Sequence, residues 1–180
     1  MTILSKPHLL LYNTETREKE SIFVQEGQVI RMYTCGPTVY DFAHIGNFRT
    51  YIFEDLLRRT IKYFGFPLFQ VMNITDVDDK TIRGALEKNV SLADYTKLYT
   101  EAFFEDLDHL NIERAESYPK ATEFIPAMVE MIQKLLQKGV AYRGIDGNIF
   151  FSIRKFPSYG RLSHLHLEHL QEGASKKNFS

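Results

Sequence analysis

The 180-residue sequence has almost no charge of either sign left over: 22 Lys and Arg stand against 23 Asp and Glu, for a formal net charge of −1. No global basic field announces a nucleic-acid partner. A large RNA-binding enzyme can hold its RNA with patches on other domains, so the balance removes one argument for RNA without excluding it. Cysteine is nearly missing as well. Cys35 is the single one, which rules out an intrachain disulfide framework and removes the usual mark of a secreted protein. No apolar run approaches the ~20 residues that cross a bilayer. The opening Met1-Thr2-Ile3-Leu4-Ser5-Lys6-Pro7 lacks the apolar core of a signal peptide. Repeats and low-complexity tracts are absent too. What remains, 44% hydrophobic and 25% charged, is the composition of a soluble domain, or of one domain and part of another. The expectation is a cytoplasmic monomer with no membrane contact.

Hydrophobic patterning places the elements. Val29 to Thr34 is rich in β-branched and aromatic residues and reads as a strand ending at the Gly36-Pro37 break. A helix is predicted over about Gly46 to Tyr63, with Ile45, Phe48, Ile52 and Leu56 as its inward stripe and Gly65 closing it. Pro67 to Ile74 reads as a second strand, apolar enough for a buried parallel position. Strand, helix, strand is one βαβ unit with a right-handed crossover. Ser91 and Asp94 have capping-box spacing and open a helix to about Leu110, packed through Leu92, Tyr95, Tyr99, Ala102 and Phe103. Another helix is predicted from about Thr122 to Lys138, with Pro126 in its first turn. Phe124, Met128, Met131, Ile132 and Leu135 are its inward face, and Gly139 is its stop. Val140–Arg143 and Asn148–Ile153 flank Gly144-Ile145-Asp146-Gly147 as a hairpin. A subdomain boundary is placed near Asn111 to Pro119. No closing element is read in the polar stretch Ser175–Ser180.

The chemistry concentrates in Tyr33-Thr34-Cys35-Gly36-Pro37-Thr38-Val39-Tyr40-Asp41 and His44-Ile45-Gly46-Asn47, between the first strand and the first helix. In an open parallel sheet, ligands bind beyond the carboxyl ends of strands, where loops meet helix N-termini. A helix N-terminus offers free N–H groups and partial positive charge, which suits a triphosphate. His44 can donate to a phosphate oxygen, and Gly46 lets a nucleotide approach the backbone. On these grounds alone a nucleotide site is reasonable but not specific.

His44-Ile45-Gly46-Asn47 resembles the HIGH signature of class I aminoacyl-tRNA synthetases, with Asn47 in place of the final histidine. Tyr33 to Asp41 resembles the segment preceding that signature in the cysteinyl enzymes, and Asn73-Ile74-Thr75-Asp76-Val77-Asp78-Asp79-Lys80 resembles their second hallmark. The similarity runs from about Leu11 to Gly173. It implies an α/β fold with a Rossmann-type parallel sheet. Residues 10–115 are then the first half of a class I synthetase catalytic domain, and 116–180 the start of the connective insertion. It implies ATP-dependent activation of cysteine to cysteinyl adenylate, with Mg2+ accompanying the ATP, followed by transfer to tRNA(Cys). By matching position, His44 and Asn47 are the catalytic candidates, and His44, Gly46 and Asn47 bind ATP. Gly36, Thr38 and Thr75 bind cysteine. Cys35 matches the first ligand of the family's Zn2+. The other zinc ligands and the KMSKS loop of the family lie downstream of Ser180, so the chain alone is expected to be inactive. Zinc suits the selection of cysteine, because thiolate is a preferred ligand of the metal, whereas an apolar pocket separates cysteine from serine poorly.

Other readings stand beside these. A ligase joining cysteine to an amino sugar shares the adenylation chemistry and similar motifs, and a non-catalytic cysteine- or nucleotide-binding fragment is a further alternative. Outside the motif context Cys35 would read as a small buried hydrophobe. Asp76, Asp78 and Asp79 read as caps of the following helix rather than a cation site. Asp41 is a candidate to orient His44 or a backbone turn. His164, His166 and His169 fit a partly exposed amphipathic helix and match no zinc ligand of the family. The abundance of Tyr and Phe reads as core packing.

Overall fold

The computed structural model describes residues 9–22 and 27–165. In chain order these form β1 (Leu10–Asn13), β2 (Glu18–Ser21), β3 (Ile30–Thr34), α1 (Ile45–Tyr63), β4 (Leu68–Met72), α2 (Asp79–Glu87), α3 (Leu92–His109), α4 (Ile125–Gln137), β5 (Ala141–Arg143) and β6 (Ile149–Phe151). The described residues divide into two compact units, 27–128 and 9–22 with 129–165.

The first unit is built on the expected βαβ. β3 and β4 pair in parallel, from Ile30 opposite Leu68 to Thr34 opposite Met72. The chain between them is α1, which ends where Gly65 adopts φ +79° and the Phe66 N–H reaches back to the Ile61 carbonyl. Residues 117–121 run beside β4 as a third, irregular parallel partner, through Met72 N–H to Ser117 O and Ile74 N–H to Pro119 O. The core is aromatic, as the composition predicts: Phe48, Tyr51, Tyr95, Tyr99 and Phe103 bury together with Met72, Ile74 and Leu107. α3 packs through the predicted Tyr95, Tyr99 and Phe103, with Leu92 and Ala102 half-buried.

α1 buries a different face from the predicted one. Phe48 is buried, but Ile45, Ile52 and Leu56 are exposed, Ile45 by 88%. The buried set is Phe48, Tyr51, Arg58 and Ile61. Arg58 explains the rotation. Its guanidinium pairs with Glu113 at 3.0 Å and Glu116 at 2.6 Å and donates to Gln70 Oε1, whose amide in turn donates to the Thr34 hydroxyl. A buried cation is tolerable when so paired, and this one brings the middle of α1 onto β4. β4 is likewise buried on one face only: Gln70 and Met72 point into the core, while Phe69 is 45% exposed.

α4 also departs from expectation. No residue of it is buried among the described residues, and Phe124, just before it, and Met128, Met131 and Ile132 within it are exposed. Pro126 does fall in its first turn, and Gly139 ends it at φ +65°. In the second unit the predicted hairpin is present as antiparallel β5 and β6, joined through Gly147 at φ +84°, with Tyr142 stacked on Phe150. A second hairpin, β1–β2, was not legible; Asn13 Oδ1 turns the chain by accepting from the Glu15 N–H. His164 sits in a turn, its Nε2 2.8 Å from the Glu15 carbonyl, while His166 and His169 lie outside the described residues.

Candidate functional site

The site begins where β3 and β4 end. Beyond Thr34 and Met72 the two chains stay paired: the Val39 N–H donates to Thr75 O, and the Thr75 N–H donates to Pro37 O. Thr38 and Thr75 therefore face one another as a parallel bridge. Asn73 fastens this junction. Its Oδ1 accepts from the Gly36 N–H (3.1 Å) and the Tyr33 hydroxyl (3.0 Å), and its Nδ2 donates to Thr75 Oγ1 (3.0 Å). Gly36 is the sole residue type that fits, since a Cβ there would overlap the Asn73 carbonyl oxygen. With Oγ1 occupied as an acceptor, the Thr75 hydroxyl proton is left for another partner.

His44 is the N-cap of α1, in extended conformation at φ −103°. Its Nδ1 accepts from the Gly46 N–H at 3.0 Å, and the Asn47 side-chain oxygen accepts from the His44 N–H at 3.1 Å. This reciprocal pair is a capping box. An accepting Nδ1 requires the proton on Nε2, so the outer edge of the ring is a donor. Gly46 makes room for that ring: a Cβ at 46 would lie 2.7 Å from Cε1. Its glycine thus serves His44 first. Asp41 turns its own backbone by accepting from the Phe42 N–H at 2.8 Å; no bond between Asp41 and His44 is present among the described residues.

A cleft of about 340 Å³ opens here, lined by Gly36, Thr38, His44, Asn47, Tyr51 and Lys80 among others. It brings four of the sequence candidates to one cavity. Thr75 joins through its bridge to Thr38, and Gly46 lies under the His44 ring. Burial first, then the Glu54 carboxylate and Cys35, push the Tyr51 phenol up to about 12, so it stays protonated where it borders the cleft. Cys35 is exposed at the end of β3, its Sγ 3.8 Å from the Gly36 carbonyl, and does not line the cleft. No group of three or more His, Cys, Asp or Glu that could hold a metal is found among the described residues. Cys35 is an exposed thiol, sterically open to a metal as a single donor. Of the acidic cluster, Asp78 caps α2 as expected by accepting from the Lys80 N–H, and Asp79 falls in its first turn; Asp76 departs from the expectation, since, buried, it accepts from the Thr122 N–H at 2.9 Å, 46 residues on.

Sequence reasoning assigned no role to Asn73, Tyr51 or Lys80. Asn73 and Lys80 stood inside the quoted motif, so proximity was the available signal; Tyr51 carried none beyond its helical spacing. A larger cleft of about 970 Å³ in the second unit, between the β1–β2 turn and residues 157–165, gathers none of the candidates. Among the described residues, no helix is long and apolar enough to cross a membrane.

Residues 21–179 match the family model described as tRNA synthetases class I (C) catalytic domain. The chain is 64% identical over 169 residues to the cysteine–tRNA ligase of Protochlamydia amoebophila, covering 94% of this chain and 35% of that protein. It is 58% identical to that of Chlamydia pneumoniae, covering 91% of this chain and 34% of that protein. The chain thus spans about a third of the length of the curated relatives it matches. A solved structure described as an arginyl-tRNA synthetase from Campylobacter jejuni superposes with a TM-score of 0.56 over 73% of this chain and 39% of that one, at 15% identity, a likeness of fold alone. The match along nearly the whole sequence makes this chain a member of the class I (C) tRNA synthetase catalytic-domain family.

Proposed function

We propose that this chain supplies the cysteine- and ATP-receiving part of a cytoplasmic, monomeric cysteine–tRNA ligase. The observation that carries the reading is the convergence of Gly36, Thr38, His44 and Asn47 on one cleft beyond the ends of two parallel strands. The two named cysteine–tRNA ligases are 64% and 58% identical to this chain over nearly all of its length.

In this reading Thr38 and the free hydroxyl proton of Thr75 orient the amino and carboxylate groups of cysteine. The carboxylate oxygen must approach the α-phosphorus of ATP, carried with Mg2+, and pyrophosphate must leave. The His44 Nε2–H and the first turn of α1 donate to phosphate oxygens as charge shifts onto them. Asn47 holds His44 in place through the capping box, which also explains how asparagine serves where the family signature ends in histidine. Cys35 would contribute one ligand to a zinc ion whose chemistry, when bound, is selection of a thiolate over a hydroxyl. The amino acid then passes to the 3′ end of tRNA(Cys).

The test uses the full-length protein. Cysteine-dependent ATP–pyrophosphate exchange and charging of tRNA(Cys) are expected, with Cys35→Ser losing the preference for cysteine over serine. The 180-residue chain alone is expected to do neither. Transfer of cysteine to an amino sugar instead of tRNA, or an undiminished preference in the serine variant, would refute the reading.

A further inference from the structure

We propose that Lys80 is a phosphate-binding residue of the cleft, parked on the Tyr40 ring and released toward the anionic oxygens of pyrophosphate or a nucleotide polyphosphate. The proposal rests on the reading of the cleft as a nucleotide site and adds to it a cation from a second helix.

Lys80 lies in the first turn of α2 and lines the same cleft as His44 and Asn47 from the first turn of α1. It is the one lysine or arginine among the described lining residues. A polyphosphate seated on His44 and the α1 N-terminus would otherwise meet only neutral donors and the Asp41 carboxylate there. Lys88, the nearby alternative, is committed to the Tyr99 hydroxyl at 2.9 Å.

The Lys80 ammonium rests 4.4 Å from the centre of the Tyr40 ring. A cation over an exposed ring is held more weakly than one in a charge-assisted bond to phosphate. Lys80 would therefore leave the ring for an anion at little cost, and its flexible stem reaches without backbone movement. The backbone that carries the ring is anchored. The Tyr95 hydroxyl donates to the Tyr40 carbonyl at 2.7 Å. Tyr95 reaches that carbonyl because position 84 of α2 is glycine; a Cβ there would overlap the Tyr95 hydroxyl. α2, α3 and the loop after β3 thus jointly hold the ammonium at the cleft mouth.

The experiment titrates the isotopically labelled chain with magnesium pyrophosphate and, separately, with cysteine, following the Gly46 and Asn47 amides by NMR. Lys80→Met is expected to weaken pyrophosphate about tenfold and change cysteine less than twofold. Lys80→Arg should stay within about threefold of the parent, and Lys97→Met, an exposed lysine on α3 paired with Glu101, should have no effect. Unchanged dispersion of the spectra shows that the variants fold. If Lys80→Met binds pyrophosphate normally while His44→Ala does not, the Lys80 assignment falls and the nucleotide cleft survives. If Lys80→Met weakens cysteine instead, the residue serves a carboxylate and the proposal falls. If neither His44→Ala nor Lys80→Met matters, or pyrophosphate leaves both amides unmoved, the cleft reading and the proposal fall together.

Discussion

Asn73→Asp is expected to leave the strand junction standing while disabling the Thr75 hydroxyl, whereas Asn73→Ala should loosen the junction itself. The alanine variant removes three hydrogen bonds at 3.0–3.1 Å, to Tyr33, Gly36 and Thr75. At roughly 1 kcal/mol net each, with the Tyr33 hydroxyl able to recover a bond to water, the loss is about 2 kcal/mol. The aspartate variant keeps an oxygen for the Gly36 N–H and the Tyr33 hydroxyl. Its second oxygen replaces an N–H donor beside Thr75 Oγ1. Two acceptors there would repel, so the Thr75 hydroxyl turns its proton onto the carboxylate. Stability then changes by less than about 1 kcal/mol, because a bond is exchanged rather than lost. In the proposed reading the proton that Thr75 offers to cysteine is then consumed, and one such bond is worth about tenfold in affinity. Amide hydrogen exchange at Gly36 reads the first effect: protection should fall in the alanine variant and persist in the aspartate one. Cysteine titration of the full-length protein reads the second. A Gly36 amide equally protected in Asn73→Ala, or cysteine bound normally by Asn73→Asp, would refute the reasoning.

Three further outcomes follow from the same geometry. Gly36→Ala drives a methyl into the Asn73 carbonyl, which is backbone and cannot swing aside. It should cost about 3 kcal/mol, the top of the usual overpacking range, read as a lowered urea midpoint. Gly46→Ala displaces the His44 ring and with it the capping bond that Nδ1 accepts from residue 46, so the lost cap offsets the better helix propensity of alanine and stability changes by less than about 1 kcal/mol, while pyrophosphate binding weakens; calorimetry reads the first and NMR titration the second. Glu116 is held at about 2, first by its hydrogen bond from Arg58 and then by the Gln70 N–H. A depressed folded value means that its stabilisation is complete above the ordinary 4.5 and is lost as pH falls toward about 2. Unfolding midpoints across that window should drop in the parent and flatten in Glu116→Gln; identical acid limbs would refute the assignment.

What the sequence disclosed was local. The Ser91 cap on the Asp94 N–H, the glycine stops at Gly65 and Gly139 and the Gly147 hairpin turn each depend on residues within a few positions, and all are present; the His44–Asn47 capping box, equally local, is disclosed by the structure. The βαβ order was legible for the same reason. The inward face of α1 was not, because this helix carries two apolar stripes. Ile45, Ile52 and Leu56 share one, and Phe48, Tyr51 and Ile61 share the other. Periodicity shows that a helix is amphipathic but cannot choose between equal stripes. Here the choice falls to Arg58, which a burial rule would place outside, and its partners Glu113 and Glu116 lie more than fifty residues away.

The site divides along the same line, and this bears on how its motifs work. In His44-Ile45-Gly46-Asn47 the local role and the proposed one coincide: the bonds that cap α1 also fix the His44 tautomer and aim Nε2 outward. A change that spoils the cap spoils the donor. Substitution at the last position is tolerable whenever the new side chain can accept the His44 N–H, which Asn47 does. Asn73 is the opposite case. It binds nothing in the cleft, and its importance comes from Gly36, 37 residues earlier, and from the proton it leaves free on Thr75. A residue of this kind is invisible to composition and periodicity because its value lies in which groups it satisfies. It becomes legible once the question is which polar atom each buried donor meets, and that requires the two strand ends to be side by side.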